Sequence, residues 1–142
     1  MAPNSSAEPE ERLRLFLKAM EGWEADTWRG MKEAERTSTP SSYDELARKR
    51  LVPIFQDFCT PKKRPYGRVE NLSVTSPSDY CTTNLVLETR KALPRRVVII
   101  TRASKGRATF NFVYVLLKQN GHWFVDNRKK LGDDGSEFTW WL

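Results

Sequence analysis

Residues 108–131 read ATFNFVYVLLKQNGHWFVDNRKKL, with Phe110, Phe112, Tyr114 and Leu116 at period two and Val113, Val115 and Leu117 filling the other face. Trp123, Phe124 and Val125 continue the apolar run beyond Asn120-Gly121, a pair suited to a type I′ turn. The pattern predicts a long buried hairpin with strands over 108–118 and 122–127 and Trp123 inside it.

The N-terminal half has a different period. Leu13, Phe16, Leu17, Met20, Trp23 and Met31 recur near a helical repeat, behind a capping box of Ser5 and Glu8 and with Pro9 in the first turn. Gly22 and Gly30 weaken this helix, and Gly30 marks either its end or a close approach to a neighbouring element. After a polar link over 36–41, a second capping box at Ser42 and Glu45 opens a helix carrying Leu46, Leu51, Ile54, Phe55 and Phe58. Pro53 is expected to break or kink it, since proline removes a backbone donor and clashes with the preceding turn.

From residue 61 the texture becomes β. Alternation through Val69, Leu72 and Val74 predicts an edge strand or bulge over 66–75, and strands are expected over 82–90 and 95–103. The last of these, RRVVIITRA, is apolar on both faces at its centre, as a central strand would be. Two helices followed by four or five strands imply an α+β domain with helices on one face of a mostly antiparallel sheet.

The chain has 142 residues, one domain by length, with residues 1–7 read as a disordered lead and 8–142 as the folded unit. Five Trp, seven Phe and four Tyr can fill a core. Neither a spanning helix nor the basic start and apolar run of a signal peptide is present, so the expected location is the cytoplasm, with no membrane partner. Cys59 and Cys81 lack metal-ligand spacing and are read as two reduced thiols.

The net charge of +6 bears on partners. Between residues 86 and 107, Arg90, Lys91, Arg95, Arg96, Arg102, Lys105 and Arg107 stand against Glu88 alone. Two readings follow: attraction of an acidic partner, or a solvated rim that keeps the sheet edge from pairing with other chains.

Catalytic sets are scarce. His122, the single histidine, follows the Asn-Gly turn and is read as a solvent-facing strand residue. The seven glycines form no phosphate loop, and residues 133–137 lack the alternating ligands of a calcium loop, so they are read as a surface turn before the last strand. Asp79, Tyr80 and Asp126 could supply a carboxylate and a phenol to a pocket, but spacing alone does not show that they meet, and the plainer reading is that Asp79 caps a turn and Asp126 ends a strand. No catalytic residue, cofactor or metal is assigned, and the chain is read as a non-enzyme. The aromatic residues follow the core periodicity, which disfavours a stacking surface for nucleic acid. The exception is the segment 138–142, where Trp140 and Trp141 could complete the sheet or offer an apolar patch to another protein.

The hairpin FNFVYVLLKQNGHWFVDNRKKL resembles the closing hairpin of the nuclear transport factor 2-like superfamily. More specifically, the chain resembles that fold's immunity proteins of bacterial polymorphic toxin systems. The shared features are Trp23-Glu24 in a long first helix, the stretch Cys59-Thr60-Pro61-Lys62-Lys63-Arg64, and the turn Pro77-Ser78-Asp79-Tyr80. The likeness runs from about residue 8 to 141. It implies a cone of N-terminal helices on a curved sheet, and a protein that binds and neutralises a cognate toxin by stoichiometric occlusion. The basic balance departs from the acidic character common among immunity proteins against nucleases, and implies an acidic toxin surface.

On this reading the partner-binding residues are Arg90, Arg95, Arg96, Arg102 and Arg107 for charge complementarity, with Trp140 and Trp141 as apolar anchors. The alternatives are a small-molecule enzyme or ligand-binding domain of isomerase or dehydratase type, and a nucleic-acid-associated adaptor. The resemblance also leaves a homodimer through the sheet open.

Overall fold

A computed structural model describes residues 8–37, 40–64 and 67–142. The expected lead over 1–7 with its Ser5 cap, part of the interhelical link, the Ser42 side chain and Tyr66 lie outside the described residues.

Helix α1 (Pro9–Thr37) begins at a proline, whose missing donor costs nothing in a first turn, and carries Glu10 and Glu11 at its positive end. Leu13, Phe16, Leu17, Met20, Trp23, Glu24 and Thr27 are buried, a stripe at spacings of three and four. Gly30 does not end the helix. It is the close approach: a β-carbon there would lie 1.8 Å from the Tyr43 ring of α2 (Pro40–Phe58), so that ring needs glycine opposite it. The two helices are further joined by the Trp23 indole, which donates to the Ala47 carbonyl at 2.9 Å.

Pro53 does not break α2, which runs on to Phe58. Packing on both sides of the proline outweighs one lost backbone bond, since Leu51 is fully buried and Ile54, Phe55 and Phe58 pack on the core. Leu46, expected inside, is 39% exposed, and its neighbour Ala47 is buried instead.

Five strands follow: β1 (Val86–Leu93), β2 (Arg96–Lys105), β3 (Ala108–Gln119), β4 (His122–Leu131) and β5 (Glu137–Trp140). They form one sheet in sequence order, every neighbour antiparallel. The β3–β4 turn is the expected two-residue connection, with Asn120 at φ 52° and Gly121 at φ 79°, and Gln119 pairs with His122. Strand β4 continues four residues beyond the expected end at 127, because Arg128 to Lys130 pair with β3 and with β5.

The strand expected over 66–75 does not form. Its described part, 67–75, is turn and loop, in which Gly67 accepts from Asn71 N at 2.8 Å and Arg68 Nε reaches the Ser73 carbonyl at 3.2 Å. Val69, Leu72 and Val74 still pack on the core, so their alternation reflects burial from a folded loop. The next strand starts at residue 86 and not 82, because Glu21 holds Thr82 by its N–H at 2.8 Å and its hydroxyl at 2.5 Å, and Asn84 turns at φ 55°. Residues 132–136 form the expected turn, where the exposed Asp134 carboxyl caps Ser136 and is held below the usual carboxylate range by those bonds.

One sheet face packs on the helices through Val97, Ile99, Phe112, Tyr114, Leu116, Trp123 and Val125. Arg12 of α1 fastens the layers, donating from Nε to the Trp123 carbonyl at 3.1 Å and from Nη2 to the Asp57 carbonyl at 2.7 Å. No described helix is long and apolar enough to cross a membrane.

Candidate partner-binding face

Among the described residues no helix lies over the opposite sheet face, yet Val98, Ile100 and Val113 are almost fully buried there, with Val115 and Leu131 packed beside them. Alternation puts the even-numbered residues of β2 on this face, so Arg96 and Arg102 flank Val98 and Ile100. Cross-strand register adds Glu88 opposite Ile100, Lys91 opposite Val98, Lys129 opposite Val113 and Glu137 opposite Leu131. An apolar floor therefore lies under a lattice of long charged side chains, whose methylene stems cover it while their heads stay wet.

Two ion pairs cross this face. Arg102 Nη1 meets Glu88 Oε1 at 3.0 Å, and Arg90 Nη1 meets Glu137 Oε2 at 2.9 Å. The second joins the first strand to the last. Four strand spacings of about 4.8 Å would separate them by roughly 19 Å in a flat sheet, so the pair requires strong twist and coil. Beneath Arg90 and Arg96 a cleft of about 290 Å³ opens over Val98, Val113 and Val115, with Lys129 and Glu137 at its other side. Both ion pairs are at least partly exposed and worth about 0–1 kcal/mol each.

The model of the family described as NTF2 fold immunity protein matches residues 8–138. The chain belongs to this family. It is also 26% identical over 121 residues to the immunity protein RhsIA of Dickeya dadantii (strain 3937), a match covering 85% of each chain. No solved structure matches significantly. Two helices on one face of a five-stranded antiparallel sheet are the NTF2-like α+β architecture, and the toxin-neutralising role that the sequence resemblance implied is the role this family carries.

The fold distributes the other expected partner residues of the immunity protein unevenly. Arg95 lies in the β1–β2 turn and Arg107 in the β2–β3 turn, at opposite ends of the ten-residue β2, which is about 33 Å long at 3.3 Å per residue. Both are exposed, and neither has an ion-pair partner among the described residues. Trp140 is half-buried: its ring packs 6.4 Å from Phe112, Lys130 sits 4.6 Å above it, and its indole donates to Asp79 Oδ2 at 3.5 Å. Trp141 is 47% exposed. Sequence reasoning missed Lys129, Glu137 and the apolar floor, although apolar residues on both faces of β2 were the visible signal.

The residues weighed for catalysis fall into separate clusters. Asp126 accepts from Thr60 Oγ1 at 2.7 Å and Lys62 Nζ at 3.1 Å. Asp79 accepts from Arg68 Nη2 at 3.1 Å, within a buried group that also holds Glu24 and Tyr80. His122 is half-buried, edge-on to Phe124 at 6.3 Å. In the interior between sheet and loop, Arg128 is 1% exposed, lying 4.2 Å from the Tyr80 ring and 4.5 Å from Phe112 and donating from Nη1 to Tyr114 Oη at 3.3 Å. Its Nε and Nη2 bind the Trp141 carbonyl at 3.0 and 2.8 Å. Burial pushes the Tyr80 and Tyr114 hydroxyls up, against the pull of Arg128, so both phenols stay protonated at neutral pH. Arg128 thus bonds the Tyr114 hydroxyl and lies over the Tyr80 ring, whose own hydroxyl accepts from Arg68 Nη1 at 3.4 Å.

Proposed function

We propose that this immunity protein occludes its cognate toxin stoichiometrically, through the helix-free sheet face and without chemistry. The apolar floor under Arg90, Arg96 and Arg102 carries the reading. Five cations (Arg90, Lys91, Arg96, Arg102 and Lys129) face two carboxylates there, which suits a toxin surface with acidic groups around an apolar centre. A standard interface buries about 800 Å² per partner, a patch roughly 30 Å across. That is enough for the centre of the face and one end of β2. Arg95 and Arg107 therefore act at the rim, through long-range attraction, and the exposed Trp141 ring is an apolar anchor at the C-terminal side.

A second copy docking by the same face would set this charge against itself, so a 1:1 complex with toxin is favoured over a homodimer through the sheet. The complex forms in the cytoplasm, a compartment that suits the unpaired, buried Cys59 and Cys81. The test is titration of the purified toxin domain with this protein, following toxin activity and complex mass together. Activity should reach zero at one equivalent, with a 1:1 mass. Full protection at well below one equivalent would mean turnover and would reject occlusion.

A further inference from the structure

A second concavity lies away from the sheet face. It is bounded by the end of α2, the segment 59–64 and the tip of the β3–β4 hairpin, is open to solvent with a volume of about 600 Å³, and shares no lining residue with the outer cleft. That volume falls within the roughly 300–1,000 Å³ of small-molecule sites. Val52, Phe55, Val69 and Phe124 supply apolar walls.

The polar groups around it converge in sign. Lys62 is matched by Asp126 at 3.1 Å. Arg64 is not matched by a carboxylate: its guanidinium donates to the carbonyls of Thr60 at 2.8 Å, Lys62 at 3.1 Å and Asp126 at 3.2 Å, and to Thr60 Oγ1 at 2.9 Å. Its Nε is buried without an acceptor among the described residues. These bonds pin the 60–64 segment to β4 and leave a rigid cation on the wall, 5.9 Å from the Phe55 ring. Exposed Lys63 beside it has no ion-pair partner among the described residues, so two unmatched cations face one lining acid, Glu70.

We propose that this cavity binds an amphipathic organic anion, with its apolar body on Phe55, Val52, Val69 and Phe124 and its carboxylate or phosphate head at Lys63, in the positive field of Arg64. Binding is non-covalent. Cys59 at the cavity wall is 3% exposed and burial pushes its thiol up to about 12, so no thiolate is available to a ligand.

Calorimetric titration of the full chain with octanoate, octyl phosphate and neutral 1-octanol tests this. At least one of the two anions should bind saturably at one per chain and at least tenfold tighter than 1-octanol, and the tighter anion identifies the head group. Lys63→Glu should weaken that anion at least tenfold. Gln56→Trp, an exposed rim position, should do the same by filling the mouth. Both variants should keep the wild-type thermal midpoint and still neutralise the toxin at one equivalent, which separates this site from the occlusion face. Failure of both anions to saturate, or affinity equal to that of 1-octanol and unmoved by Lys63→Glu, would overturn the proposal.

Discussion

Glu24 Oε2 lies 3.3 Å from Arg68 Nη2, with the Glu24 side chain fully buried and that of Arg68 8% exposed. The pair ties the middle of α1 to the loop that precedes the sheet. Glu24 also accepts from Ser78 Oγ at 2.5 Å, Thr75 N at 2.9 Å and Asp79 N at 3.2 Å, so one carboxylate orders residues 68–79. A buried charge is tolerable only when its oxygens are occupied in this way.

Glu24→Gln should therefore destabilise the fold by about 3 kcal/mol, at the low end of what breaking a buried pair costs, because Asp79 still faces Arg68 at 3.1 Å. Urea unfolding of both forms measures it. A loss below about 1 kcal/mol would mean that the loop is ordered by its apolar side chains alone.

Trp123→Ala should cost about 3–5 kcal/mol, as expected for emptying a large buried site in a well-packed core. Phe138, 53% exposed on the edge strand, is the internal contrast: Phe138→Ala should cost well under half as much. Equal losses at the two positions would place the hairpin's packing elsewhere.

The hairpin was legible because two local signals coincide, period-two burial and an Asn-Gly turn that needs φ > 0 at both residues. The same rule misreads residues 67–75, where Val69, Leu72 and Val74 reach the core from turns held by Arg68, a residue whose partners lie 44 and 11 positions away. Periodicity reports burial and cannot tell which backbone delivers it. Pro53 fails in the other sense, since the local penalty was right in kind and tertiary packing outweighed it. Of the candidate face, the excess of arginines was visible. The cleft was not, because Arg90 meets Glu137 across 47 residues and only the coil of the sheet brings them together.

Alkaline pH should weaken the fold. Burial raises the Cys59 thiol to about 12 and raises the Tyr80 and Tyr114 hydroxyls, so each holds its proton more tightly folded than unfolded. Between the unfolded and folded values the unfolded chain binds fewer protons, and stability falls as pH rises. The contribution is intact below about pH 8, where the unfolded thiol and phenols are still largely protonated, and is lost toward pH 12. The urea midpoint should be flat from pH 7 to about 8 and drop steadily from there to 11. A constant midpoint across that window would show that these groups are not shielded from water.

Charge reversal at Arg90 and Arg96 tests the sheet face most directly. Both side chains rim the cleft, and Arg90 is 44% exposed, so its bond to Glu137 contributes little to folding. Arg90→Glu with Arg96→Glu should leave the thermal midpoint within a few degrees and lower the toxin association rate at least tenfold, since steering of an acidic partner depends on the summed field of the face. Salt should act in the same direction on the unmodified protein, because at about 0.15 M ionic strength attraction beyond roughly 8 Å is screened. Arg107→Glu, at one end of β2, should slow association less than the double reversal at the centre. Stopped-flow mixing at two ionic strengths separates these cases. An association rate indifferent both to salt and to the double reversal would mean that these arginines only solvate the sheet and that the toxin docks on another surface.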